Sequence, residues 1–195
     1  MALNVGGVEV LFTGELDDGF EEAFMGLFAR RYLPDVLEGS GDPDIAIERF
    51  RGGDRFRVFG AIYDVSGVDR YKLEAGVPSA YGNEAPVFFL LQAAARAAMK
   101  RGRIFLTDSV SVVKPDGTAV LFVGYPPHTG KSTMSALALA RGLTVLSTEN
   151  TVIEVRDGRL VVVGGTNVLV YDPKVEEIHH IRIPPTTPRR GAVTG

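Results

Sequence analysis

The chain has 195 residues, a formal net charge of −3 and 45% hydrophobic residues, which is typical of one large globular domain or two small ones. The weak net charge gives no support for a general nucleic-acid-binding surface, and the absence of cysteine excludes disulfides and thiolate metal sites. No apolar run approaches the length of a membrane span, and no basic segment precedes an apolar one at the N-terminus. We therefore expect no membrane partner, no nucleic-acid partner and a cytoplasmic location.

The first third of the chain predicts strands that flank one helix. Residues 8–12 alternate between apolar and polar side chains, which indicates a β-strand. Residues 17–32 carry aromatic and leucine side chains at helical spacing, with acidic residues at the start, and predict one amphipathic helix. Residues 44–50 and 55–59 also alternate, and the glycine-containing segment between them predicts a β-hairpin.

The middle of the chain predicts a buried helix followed by a second hairpin. Weaker strand signals precede a loop at residues 76–83, where we place an internal boundary. Residues 85–100 are helical and apolar nearly all round, which predicts burial on every side. Two strands at 109–113 and 118–123 are joined by Lys-Pro-Asp-Gly, a favoured turn sequence.

A phosphate-binding motif follows the second of these strands. The apolar run 120–123 leads to Gly124, a short loop, and then Gly-Lys-Ser-Thr at 130–133, which opens a run of good helix formers. The first N–H groups of a helix have no helical partners, and the helix dipole adds partial positive charge there, so an anion fits. A strand, a glycine loop and a helix in this order predict a P-loop that binds the phosphates of ATP.

The roles expected of the loop residues follow from phosphate chemistry. The amides of residues 128–133 would donate to phosphate oxygens, Lys131 would contact the β- and γ-phosphates, and the Ser132 hydroxyl would bind Mg²⁺. His128 is as readily an exposed loop histidine as a phosphate contact. The predicted nucleotide-binding set is Gly124, His128, Thr129, Gly130, Lys131, Ser132 and Thr133.

The spacing of this motif is unusual. Five residues rather than four separate Gly124 from Gly130, and Tyr125 occupies the place of the first glycine unless one residue is inserted. Pro126 and Pro127 have no N–H group and so cannot donate to a phosphate. The alternative interpretation is a glycine turn with a chance lysine ahead of an alanine-rich helix.

The chain after the motif predicts a helix, a short strand and a third hairpin. The helix spans 132–140 and is closed by Arg-Gly, and the strand at 144–146 ends in Ser-Thr-Glu-Asn. Residues 152–155 and 160–163 form the predicted hairpin across Arg-Asp-Gly-Arg. A further strand is predicted at 167–171.

The order of these parts resembles the catalytic P-loop domain of HPr kinase/phosphorylase, which is related in fold to the nucleotide-binding part of ATP-dependent phosphoenolpyruvate carboxykinase. The resemblance covers about residues 85–163 and depends on the basic-Gly helix end, the Asp-Gly hairpin, Gly-Lys-Ser-Thr, the Arg-Gly helix end and Leu-Ser-Thr-Glu-Asn. It implies an α/β fold with a mixed β-sheet in a P-loop domain at 85–183, and it implies a homo-oligomer. The strand and helix signals before residue 85 predict an N-terminal α+β extension at 1–84 packed on this core, and the prolines near the end of the chain predict a flexible tail at 184–195.

Two further departures from this family concern catalysis. The family carries a histidine before the first loop glycine, whereas this chain reads Thr-Asp-Ser there, with Asp108 at the centre. The family also has two adjacent aspartates, and here Thr148 falls on the first and Glu149 on the second. The resemblance therefore implies that Glu149 holds the metal or acts as base, and that Asp108 replaces the missing group if the strand end brings it near. Asp108 is at least as readily a solvated acid at a strand end.

The first functional hypothesis is a kinase that transfers the γ-phosphoryl of ATP to a hydroxyl acceptor on a small molecule or a protein. Its catalytic residues would be Lys131, Glu149 and Asp108, and its Mg²⁺ ligands Ser132 and Glu149. The second hypothesis is a nucleotide-binding regulatory protein that has lost efficient catalysis, which the departures motivate. The third is a structural domain with a vestigial loop. The acceptor cannot be read from the sequence, because acceptor pockets are built from loops that vary freely on a shared scaffold.

Overall fold

Three β-sheets organise the part of the chain that the computed structural model describes, residues 1–124 and 128–184. The largest contains six strands: β1 (Ala2–Val5), β2 (Val8–Gly14), β3 (Leu37–Glu38), β4 (Ile45–Arg51), β5 (Phe56–Ile62) and β6 (Asp69–Ala75). Their spatial order is β3-β1-β2-β4-β6-β5. The central strands β2, β4 and β6 run parallel and the outer pairs antiparallel, so this sheet is mixed.

The other two sheets have three strands each and are antiparallel throughout. Their strands are β7 (Arg103–Leu106), β8 (Ser109–Val113), β9 (Ala119–Val123), β10 (Thr144–Ser147), β11 (Thr151–Arg156) and β12 (Arg159–Gly165). One sheet has the order β10-β8-β9 and the other β12-β11-β7. The strand that leads into the phosphate-loop motif is thus the edge of an antiparallel sheet.

Helices complete an α/β fold with one mixed sheet. They are α1 (Asp18–Met25), α2 (Leu27–Tyr32), α3 (Ala85–Lys100), α4 (Lys131–Ala140) and α5 (Lys174–His179). The mixed sheet expected around the loop instead lies in the N-terminal region. The reason is that β9 is entered from the tight turn after β8, and a tight turn can only connect antiparallel strands.

The hairpin predicted between β4 and β5 is wrong. β6 lies between the two strands, parallel to β4 and antiparallel to β5. The connecting segment passes close over the end of β6: a Cβ added to Gly52 would lie 2.8 Å from Ala75 N, and one added to Gly76 would lie 1.8 Å from Gly53 O. The glycines that indicated a tight turn therefore serve a close backbone crossing.

The helix predicted over residues 17–32 is broken at Gly26. This residue has an extended backbone, with φ −76° and ψ 166°, and separates α1 from α2. Asp17 begins α1 by accepting a hydrogen bond from Phe20 N at 2.9 Å. Phe20 and Phe24 are fully buried and make edge-on or tilted ring contacts with Phe12 of β2, so this part of the predicted stripe faces the core, whereas Leu27 is 68% exposed.

The largest buried cluster runs across the boundary predicted at residue 84. It joins the inner face of the mixed sheet to α3 and continues to Phe105 of β7 and Val152 of β11. The predicted α3 is confirmed at both ends, but it exposes a narrow stripe that includes Gln92, Arg96 and Met99, so the expectation of burial on every side is wrong. The division into domains stays a prediction.

The later local predictions have mixed outcomes. The hairpins β8–β9 and β11–β12 are confirmed, as are β10 and α4, which begins one residue earlier than expected. The strand predicted at 167–171 is wrong, because this segment is irregular up to α5. The expectations for the loop residues 125–127 and for the tail beyond 184 lie outside the described residues. No helix in the described ranges is long and apolar enough to cross a membrane.

Candidate functional site

The phosphate-loop motif lies between β9 and α4. The backbone N–H of Gly124 donates to Asp108 O at 3.0 Å. A Cβ added at Gly124 would lie 2.1 Å from Thr129 Oγ1, so the Thr129 side chain closes over a position that only glycine can occupy. Gly130 precedes α4 with a φ of 88°, in the left-handed region that favours glycine.

The first turn of α4 presents open backbone N–H groups. Its first helical hydrogen bond runs from Met134 N to Gly130 O at 2.9 Å. Within the described ranges, the N–H groups of residues 128–133 donate to no protein acceptor. Because the helix dipole adds positive potential at the same place, this tip is able to stabilise an anion.

The Lys131 side chain points from this tip to the neighbouring turn between β7 and β8. Its Nζ donates to Asp108 Oδ1 and to Gly124 O, each at 3.0 Å. The Lys131 side chain is 11% exposed and that of Asp108 is 41% exposed. An ammonium has three N–H donors, so one remains beyond these two contacts. Asp108, which the sequence left either at the site or in solvent, is thus in direct contact with the motif lysine.

Glu149 lies close enough to Lys131 and Asp108 for their charges to affect its pKa. Burial raises the pKa of Glu149 above its ordinary value, the positive charges of Lys131 and Arg31 oppose that rise, and the negative charge of Asp108 adds to it. A half-buried carboxyl beside a second carboxyl and two cations is a group whose charge responds to a bound metal or phosphate.

Buried hydroxyl groups hold the two acidic segments together. Ser109 N donates to Glu149 O at 2.8 Å, and Ser109 Oγ donates to Thr151 Oγ1 at 2.7 Å. Thr151 Oγ1 also bonds Ser147 Oγ at 2.5 Å. Since these three hydroxyl-bearing side chains are fully buried, their hydrogen bonds fix the turn that carries Asp108 against the segment that carries Glu149.

Thr148, expected from the sequence at the place of a catalytic aspartate, faces inward. Its Oγ1 lies 3.1 Å from Thr166 O and 2.9 Å from Val168 O, so its single O–H is shared between two backbone carbonyls, and its side chain is buried. Because its hydroxyl is bonded to these backbone carbonyls, Thr148 stabilises the segment that carries Glu149 and does not contact the phosphate loop.

Sequence reasoning missed the residues that position this segment. The Thr166 hydroxyl accepts from Glu149 N at 2.8 Å and from Asn150 N at 3.0 Å. From the N-terminal region, Tyr32 O accepts from Asn150 Nδ2 at 2.6 Å, and Arg31 places its charge near Glu149. The only signal for Arg31 was its position in the last turn of a predicted helix, where a basic residue is ordinary.

A magnesium site would rest on few protein ligands. Among the described residues, no three His, Cys, Asp or Glu side chains are grouped to hold a metal ion. Mg²⁺ is commonly held by one or two carboxylates and completes its octahedron with waters and substrate phosphates. Asp108 and Glu149 provide two carboxylates, and Ser132 lies in the first turn of α4. These residues fit a metal that arrives together with a nucleotide.

The structure brings the predicted residues into two adjoining groups. The first is the loop and helix tip, which comprises Gly124, His128, Thr129, Gly130, Lys131, Ser132 and Thr133. The second is the pair of turns with Asp108 and Glu149, connected to the first through Lys131. His128 is exposed, with a left-handed φ of 67° that is uncommon for a non-glycine residue.

Comparison of the chain with family models, curated proteins and solved structures gives no match. The candidate site therefore stands on its own geometry.

Proposed function

We propose that the chain binds ATP with Mg²⁺ at the tip of α4 and transfers the γ-phosphoryl group to a hydroxyl acceptor, as a P-loop kinase similar to HPr kinase. The resemblance of residues 85–163 to the HPr kinase and phosphoenolpyruvate carboxykinase fold, a homo-oligomeric state and a cytoplasmic location are part of this proposal.

The observation that carries the proposal is the open helix tip. Backbone N–H groups at 128–133 are unpaired within the described residues, next to Lys131. Buried or half-buried backbone groups are nearly always satisfied, so a row of open donors beside a lysine favours a polyphosphate ligand. Gly130, with its left-handed φ, and the closely covered Gly124 shape the loop that presents these donors.

The contact between Lys131 and Asp108 suggests how the site responds to a nucleotide. With no phosphate bound, Asp108 and Gly124 O accept from the lysine. A triphosphate brings more negative charge than one carboxylate, so Lys131 would exchange Asp108 for phosphate oxygens. Asp108 would then be left within reach of an acceptor hydroxyl or a metal.

Glu149 and Asp108 would have different roles, one in metal binding and the other in activating the acceptor. When bound, Mg²⁺ neutralises charge on the β- and γ-phosphates, and Ser132 with Glu149 would hold it. Asp108 is the more exposed carboxylate and would orient or deprotonate the acceptor hydroxyl. The inward-turned Thr148 leaves these two groups without the first of the two aspartates of that family.

That missing aspartate favours a second candidate function, a nucleotide-binding regulatory protein without efficient catalysis. In this case the chain binds ATP at the same tip, and the exchange of Lys131 between Asp108 and phosphate reports the bound nucleotide.

Calorimetry with ATP and Mg²⁺ separates these alternatives. We expect saturable binding by the unaltered chain, loss of binding in Lys131→Ala, and no change in Lys114→Ala, which removes an equally charged side chain from the exposed β8–β9 turn. Transfer or hydrolysis of radiolabelled ATP, lost in Asp108→Asn, supports the kinase, and binding without turnover supports the regulator. Absence of nucleotide binding by the unaltered chain would refute both.

A further inference from the structure

A cavity lies at the carboxyl ends of three parallel strands, in a part of the chain that precedes the phosphate loop. Its volume is about 640 Å³, and its lining includes Asp17, Arg49, Arg51, Asp54, Val77 and Asn83. These residues follow or end β2, β4 and β6. In open sheets with parallel strands, ligands bind in the crevice outside the carboxyl ends of the strands. The volume is in the range of small-molecule sites.

Arg49 is the unusual residue of this cavity. It is 2% exposed, although arginine is almost never fully buried unless it is paired. Its Nε donates to Ala75 O at 3.0 Å, and its Nη1 donates to Glu15 O at 2.5 Å and to Asp17 Oδ2 at 3.2 Å. The guanidinium also lies over the Phe20 ring, 4.0 Å from its centroid. The orientation of the guanidinium is therefore fixed by acceptors at the carboxyl ends of β2 and β6.

The remaining nitrogen of Arg49 is available to a ligand. Within the described residues, Nη2 donates to no protein acceptor, and it is not among the buried polar atoms that lack a partner. Arg49 lines the cavity, so Nη2 is the nitrogen of this guanidinium that remains for a ligand bound there. A guanidinium with a free Nη2 presents N–H donors in a fixed planar arrangement that suits an oxyanion.

The cavity lining contains two cations, Arg49 and Arg51, and two carboxylates, Asp17 and Asp54. Asp17 is shared between Arg49 at 3.2 Å and Arg51 at 3.5 Å. Glu15 adds a third carboxylate, which accepts from Arg51 N at 2.7 Å. The geometry of the two guanidinium groups, and not a net positive charge, would therefore select an anion here.

We propose that this cavity binds a small molecule through a carboxylate or phosphate group, which Arg49 and Arg51 contact. The close approach of the backbone at these strand ends also favours a ligand. A Cβ added to Gly14 would lie 2.3 Å from Arg49 O, and one added to Gly76 would lie 1.8 Å from Gly53 O. These glycines bring the ends of three strands close together and hold the cavity in shape, which lowers the cost of ordering a site on binding.

This site is independent of the proposed kinase function. None of the cavity residues named above belongs to β9, α4 or the turns with Asp108 and Glu149. Binding here can succeed or fail whatever the outcome of the nucleotide experiments.

The test is binding of defined anions to the full chain. Calorimetry and thermal denaturation are followed with malonate, succinate and inorganic phosphate, and with malonamide as an uncharged control. We expect saturable binding of at least one anion and none of malonamide, and the anion that binds best identifies the carboxylate or phosphate source. No saturable binding of any anion at about 10 mM would overturn the proposal, because that affinity is too weak for a built site.

Variants locate the binding. Val77→Trp fills the cavity from a position that is 43% exposed and should abolish binding, whereas Val65→Trp, at an 86% exposed position outside the cavity, should leave it unchanged. Arg51→Ala should weaken binding about tenfold, while Arg55→Ala, on the same connection, should not. Unchanged affinity in Val77→Trp, or loss of affinity in Lys131→Ala, would place the anion elsewhere and overturn the proposal.

Discussion

The cavity at the ends of β2, β4 and β6 and the tip of α4 are both suited to anions, but they present positive charge in different ways. In the cavity, a buried arginine is held by two backbone carbonyls and a carboxylate. At the helix tip, the donors are backbone N–H groups that are open within the described residues, and the adjacent cation is a lysine that already binds Asp108.

This difference teaches what each region can do. The arginine is immobilised by the fold, so the cavity is preorganised and its ligand gains from a fixed geometry. The lysine has a partner that is 41% exposed and can return to water, so the helix tip can change partners.

Removal of the buried arginine should produce the largest effect. Arg49→Ala leaves the carbonyls of Glu15 and Ala75 without their donor, and each buried group left unsatisfied costs about 1–3 kcal/mol. It also removes one of the two arginines paired with Asp17 and the packing on the Phe20 ring. Urea denaturation should show this loss. Arg55→Ala, on the exposed connection that follows β4, serves as control and should stay within about 0.5 kcal/mol. Equal stability of the two variants would contradict the structural role given to Arg49.

Removal of the lysine should separate binding from stability. Lys131→Ala should weaken ATP affinity about 100-fold, equivalent to about 2.7 kcal/mol, because the lysine contacts the phosphates. Its unfolding free energy should change by less than about 1 kcal/mol, since the partly exposed Asp108 regains water. Calorimetry and denaturation on the same samples measure both quantities. A stability loss as large as that of Arg49→Ala would mean that the two cations do not differ as described.

A change in the bracing of the acidic segment should have an intermediate effect. Thr166→Val keeps the side-chain shape but removes the acceptor of Glu149 N and Asn150 N, and an unsatisfied buried group costs about 1–3 kcal/mol. Any catalytic turnover should fall as well, because Glu149 loses its anchor. Thr144→Val, on the exposed side of β10, is the matched control and should be near neutral in both measurements. Normal stability of Thr166→Val would show that the brace is dispensable.

The smallest effect should be the pH dependence of stability that Glu149 confers. Burial raises the pKa of Glu149, so between its ordinary and its raised pKa the folded chain binds more protons than the unfolded chain. Stability from this group is therefore present at low pH and is lost as pH rises through that window. Glu149→Gln should remove this fall, and denaturation curves across acidic to neutral pH would show it.

Glu38→Gln, which changes an exposed residue of β3, should retain the fall seen in the unaltered chain. Addition of Mg²⁺ with ATP should reduce the fall in the unaltered chain, because a bound cation lowers the pKa of a neighbouring carboxyl. A pH profile of Glu149→Gln identical to that of the unaltered chain would exclude Glu149 as the source.

Elements with complete local signals were predicted well from the sequence. The turn sequences of the β8–β9 and β11–β12 hairpins carry glycine and aspartate in the places that such turns need, and both hairpins are confirmed. The helices α3 and α4 are confirmed for the same reason, since their composition and their basic-Gly ends are read within a few residues.

Elements that depend on distant partners were predicted poorly. β4 and β5 have a hairpin-like connection, yet β6 takes the place between them. Residues 167–171 are mostly β-prone apolar side chains, but in the part of the chain that the structure describes they pair with no strand and remain irregular beside Thr148 and Thr166. Strand propensity expresses packing against neighbours, so it cannot identify a neighbour by itself.

The candidate site shows the same difference between features set by local sequence and features set by distant contacts. The sequence by itself determined the glycine loop, Lys131 and the start of α4, because backbone dihedrals and open helix-end amides are local properties. Only the tertiary structure decided that Asp108 meets Lys131, that Thr148 turns inward, and that Arg49 ends beneath a cavity. These contacts depend on which strand ends come together, and burial and strand pairing over the whole chain determine that arrangement.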